Sequence, residues 1–142
     1  MSDEEAMRRM VEAHEKAGKI LKRAAEIIAQ EEAWIQGPMS VDEDGHSVEP
    51  GESSACGWCC LGAITLASEQ LLEEFDDTRV GENGWPYGIA LDAVARGIDV
   101  DDEQREYVES FSLIAEWNDS CGRKHDEVLQ ALHEGVEHAS GF

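Results

Sequence analysis

Cys60, Ile64, Ala67, Leu71 and Phe75 recur at the three- and four-residue spacing of one helical face, and Leu61, Ser68 and Leu72 widen it. The spacing predicts a helix from about Gly57 to Phe75, apolar around most of its first three turns. Such a helix has to be surrounded by other helices, because packing on one side alone leaves apolar surface in water. Gly62 and Ala63 leave room for a neighbouring backbone. The far end, Glu73, Glu74, Asp76 and Asp77, places negative charge at the negative pole of the helix dipole and is expected to fray, with a loop from Thr78 to Trp85.

The other long periodic segments are helical as well. Ser2 before Asp3, Glu4 and Glu5 is an N-cap followed by an acidic first turn, and Met7, Met10, Ala13, Ala17, Ile20, Leu21, Ala24, Ile27 and Ile28 continue a helical stripe to about Gln30. The stripe is rich in small residues, which suits close packing. A coiled-coil partner helix is the alternative. Pro86 at a first turn starts a third helix, Tyr87 to Arg96, with Gly97 as its C-cap. Asp99 or Asp101 caps a fourth through Val108, Phe111, Ile114, Ala115 and Trp117. The fifth, Arg123 to about Ala139, is capped by Asp119 or Ser120 and turns Val128, Leu129, Leu132 and Val136 inward.

The expected fold is therefore all-α: one domain over 1–142, with about five helices around the 57–75 helix. An N-terminal helix covers about 3–30 and a helical core 57–139. Between them lies an irregular loop, 36–55, entered through the turn signal Trp34-Ile35-Gln36-Gly37-Pro38. Asp44-Gly45 suits a small hairpin within 38–55. Asp42, Asp44 and Gly45 faintly resemble a calcium loop, but the further spaced ligands are missing.

Composition narrows the function classes. A chain of 142 residues, 42% hydrophobic, buries a core without needing disulfides or metal. No run of about 18 apolar residues suggests a membrane span, and the acidic start does not suit a signal peptide. A cytoplasmic location is expected, with free thiols. The net charge is −21, yet residues 1–30 hold six acidic and six basic side chains, so the excess lies wholly in the rest. Such a field disfavours nucleic-acid phosphate and anionic membranes and favours a protein partner with a basic surface. General solubility or salt adaptation is the plainer reading of the same acidity.

Three of the four cysteines, Cys56, Cys59 and Cys60, fall at the start of the central helix. Cys56 and Cys59, joined by Cys121 and His125 from the start of the last helix, have the residue types of a Cys3His zinc site. Alternatively Cys56 or Cys59, at a helix N-terminus where the dipole stabilises a thiolate, is a nucleophile. His125 or His46 would then be its base and Asn118 or Asp119 the orienting group. Small cysteines buried in a core are the plainer reading. Trp117, Asn118, Asp119 and Arg123 are a candidate recognition cluster in a turn. Each also has an ordinary local task, as an apolar anchor, a cap or an ion-pair partner.

Trp34, Gln36-Gly37, Cys59-Cys60-Leu61-Gly62-Ala63-Ile64, Trp117-Asn118-Asp119 and Gly122-Arg123, with Asp126-Glu127-Val128, together resemble a family of small actinobacterial and phage proteins known only as a domain of unknown function. The resemblance spans roughly residues 20–135. It retains chiefly Cys59 among the cysteines, and this chain departs from it at Ala33 and at Lys124, where the family has Thr. No activity is implied. The expected function is that of a small acidic, intracellular, non-enzymatic protein that binds another protein through an acidic face. Phage encoding and homo-oligomer formation are left open. A Cys- or zinc-dependent enzyme and a structural virion component are the alternatives.

Overall fold

The computed structural model describes residues 2–75, 85–98 and 109–140. Helix α1 runs Asp3–Ile27 and starts where its cap dictates, since the Ser2 hydroxyl accepts the Glu5 N–H at 3.2 Å. Its buried stripe is Ala13, Ala17, Ile20, Leu21, Ala24 and then Ile28. A 3-10 turn, Glu31–Ala33, leads to strand β1, Ser40–Val41, which pairs antiparallel with β2, Gly57–Trp58, in the register Ser40 to Trp58 and Val41 to Gly57. Helices α2, Cys60–Phe75, α3, Trp85–Gly97, α4, Ser110–Asn118, and α5, His125–Ser140, follow. Among the described residues this makes five α-helices and one two-stranded sheet.

The all-α expectation holds, and the central helix is as buried as its sequence requires. Every residue from Cys59 to Ile64 is buried. Leu61 and Ile64 meet Ile20, Leu21 and Ile28 of α1, Val94 of α3, Ile114 of α4 and Val128 and Leu132 of α5 in one apolar core. Full burial of each such side chain contributes about 1.5–3 kcal/mol. Helix α1 lies along α5, α2 and α3, and α3 along α5.

Several boundaries differ from expectation for identifiable reasons. The central helix starts at Cys60 instead of Gly57, because Gly57 and Trp58 are drawn into β2 by Ser40 and Val41. A hairpin does form inside 38–55: Val41 bridges Ser47, the Asp42 N–H donates to the His46 carbonyl at 3.0 Å, and the buried Ser40 hydroxyl donates to the Val48 carbonyl. Gly97 ends α3 from inside the helix. Neither Asp119 nor Ser120 caps α5; the chain enters it through Lys124, whose N–H donates to the Glu127 carboxylate at 2.8 Å. The Asp99 or Asp101 cap, Val108 and the 78–84 loop lie outside the described residues.

Gly62 has the tightest fit. A Cβ there would stand 1.9 Å from the Met39 carbonyl oxygen, so the strand-bearing segment crosses the first turn of α2 at a distance only glycine allows. The crossing is fixed by the Cys59 N–H, which donates to the same Met39 carbonyl at 3.1 Å.

Candidate functional site

The fold brings the turn after α1, the start of α2 and the end of α4 to one junction, and Asn118 is its centre. Its side chain is fully buried. The Oδ1 atom accepts from Trp34 Nε1 at 2.7 Å and from the Cys60 N–H at 3.0 Å. The Nδ2 group donates to the Ile35 carbonyl at 3.1 Å and to Asp119 Oδ1 at 3.0 Å. A primary amide has two donors and two acceptor lone pairs, and all four are used here. The bond to Cys60 also serves one of the free N–H groups at the start of α2, so Asn118 acts as a cap delivered from 58 residues away.

Around it the neighbouring motif residues do related work. Gln36 Nε2 donates to the carbonyls of Asn118 and Ser120, at 2.8 and 3.0 Å. The Gly37 N–H donates to Asp119 Oδ1 at 2.8 Å from a backbone at φ +96°, a conformation that favours glycine. Arg123 stacks its guanidinium 4.1 Å from the centre of the Trp117 ring and donates from Nε to the Trp117 carbonyl at 2.9 Å. It faces Glu127 at 3.6 Å. His125 lies 6.1 Å from the Trp34 ring, and its Nε2–H donates to the Ile28 carbonyl at 2.6 Å, so the proton sits on Nε2.

The candidate cluster Trp117, Asn118, Asp119 and Arg123 is thus brought together, with the valences of Asn118 directed inward and spent on the fold. Trp34, Gln36 and Gly37 join it. Periodicity marked those three only as a turn; the resemblance had placed them in one set with Asn118.

The sulfur groups take ordinary places. Cys59 caps α2, its Sγ accepting the Gly62 N–H at 3.3 Å. Burial raises its thiol pKa, outweighing the amide N–H bonds from Gly62 and Leu61 that pull it down. Burial raises Cys60 still further. The start of α2 therefore does not produce a ready thiolate at Cys59, because desolvation outweighs the N–H groups that favour the charged form. Cys56 and Cys121 are exposed free thiols. Among the described residues, the group of three or more His, Cys, Asp or Glu ligand atoms lying within 4.8 Å of one another is Asp42, Asp44 and His46. Cys56, Cys59, Cys121 and His125 are not gathered in that way.

Asp42 organises the hairpin tip instead. Its Oδ1 accepts from the N–H groups of both Asp44 and His46 at 2.9 Å, an Asx turn. Chiefly the His46 N–H holds its carboxyl below the usual range. The loop continues with the Val48 N–H on the Ser40 carbonyl, the Trp58 Nε1 on the Pro50 carbonyl at 3.0 Å, and the Cys56 N–H on the Val41 carbonyl at 2.9 Å. Glu43, Asp44, Glu49 and Glu52 project from it into water. No Lys or Arg occurs between Arg23 and Arg79.

No helix of the described residues is long and apolar enough to cross a membrane. No curated protein and no solved structure was found to match the chain. A model of a family of unknown function, DUF6197, matches residues 12–138.

Proposed function

The chain belongs to that family, and we propose that it is a binding module that receives a basic protein surface on its acidic loop, 42–54, without catalysis. One observation carries the reading: the loop exposes four carboxylates from a backbone held by its own hydrogen bonds, within a stretch free of Lys and Arg. An ordered loop loses little conformational freedom when it binds, and like charges held together raise the local attraction for a cationic partner. Raised thiol pKa values at Cys59 and Cys60 and the spent valences of Asn118 favour binding over chemistry at the junction. Action in the cytoplasm, in an actinobacterial or phage setting, belongs to the same proposal.

The test is calorimetric titration of the full chain with a Lys- and Arg-rich probe peptide at low and high salt. Screening lengths fall from about 10 Å at 0.1 M to about 3 Å at 1 M, so the affinity should fall with salt. It should also fall when Glu43→Gln, Asp44→Asn and Glu49→Gln are combined. Binding that is indifferent to both changes overturns the proposal.

A further inference from the structure

We draw no further inference here: the strongest candidate, the side-chain cluster of Asp42, Asp44 and His46 at the tip of the acidic hairpin, belongs to the loop already described, takes its hydrogen bonds from that loop's own backbone, and has beside it no second feature among the described residues that points to a bound ion.

Discussion

Asn118→Ala tests the junction most directly. The substitution removes four hydrogen bonds and takes the partner from three groups: Trp34 Nε1, the Cys60 N–H and the Ile35 carbonyl. Each orphaned group costs about 1–3 kcal/mol. Trp34 is only partly buried, so water recovers some of its share, and the sum is about 3–6 kcal/mol. That is a large part of the roughly 5–15 kcal/mol that keeps an ordinary domain folded. Urea unfolding followed by tryptophan fluorescence should show the unfolding free energy falling by that amount, with an earlier midpoint and an unchanged slope.

Asn118→Asp sharpens the test, because it keeps both acceptor bonds but faces the Ile35 carbonyl and Asp119 Oδ1 with a second oxygen. The buried acid should have a native pKa raised above its unfolded value of about 3.9. Its stability relative to the parent should then be greatest below about pH 4 and fall as pH rises through the raised native value. An Asn118→Ala cost below about 1 kcal/mol, within reach of ordinary surface substitutions, would refute the reasoning.

Three further outcomes follow from other parts of the fold. Gly62→Ala should destabilise the chain severely or prevent folding, as read by thermal melting, because its Cβ would meet the Met39 carbonyl oxygen at 1.9 Å. Thiol titration at pH 7 should find Cys56 and Cys121 reacting promptly, with Cys59 and Cys60 slower by on the order of tenfold or more until denaturant is added. The Asp42 carboxyl, followed by NMR, should titrate below its unfolded value. Its support of the hairpin should be present above about pH 3.9 and lost as pH falls through the native value. Asp42→Ala should speed amide exchange at Asp44 and His46 at neutral pH.

What could be read from the residues was local. The Ser2 cap, the stripe from Ala13 to Ile28 and the apolar girth of the Cys60–Leu71 segment each follow from spacings of three or four, and each appears in the fold. What could not be read was long-range. Gly57 and Trp58 suit a helix start as well as a strand, and only Ser40 and Val41, arriving from an earlier part of the chain, decide between them. The cap of α5 went to Lys124 and Glu127, since Asp119 was already taken by Gly37 and Asn118. Trp34 and Asn118 stand 84 residues apart with no periodic relation. Cys56, Cys59, Cys121 and His125 have the residue types of a zinc site, but residue type carries no information about the direction in which His125 turns, which is toward Ile28.

The Asn118 junction also bears on how the chain is made. Its groups on Trp34 and at the start of α2 await a residue 84 and 58 positions later. At about 5–20 residues per second of synthesis, Trp34 leaves the ribosome roughly 4–17 s before the amide that completes it. For that interval the two early groups lack the amide they pair with in the fold, and α5, which packs along α1 and α3, emerges later still.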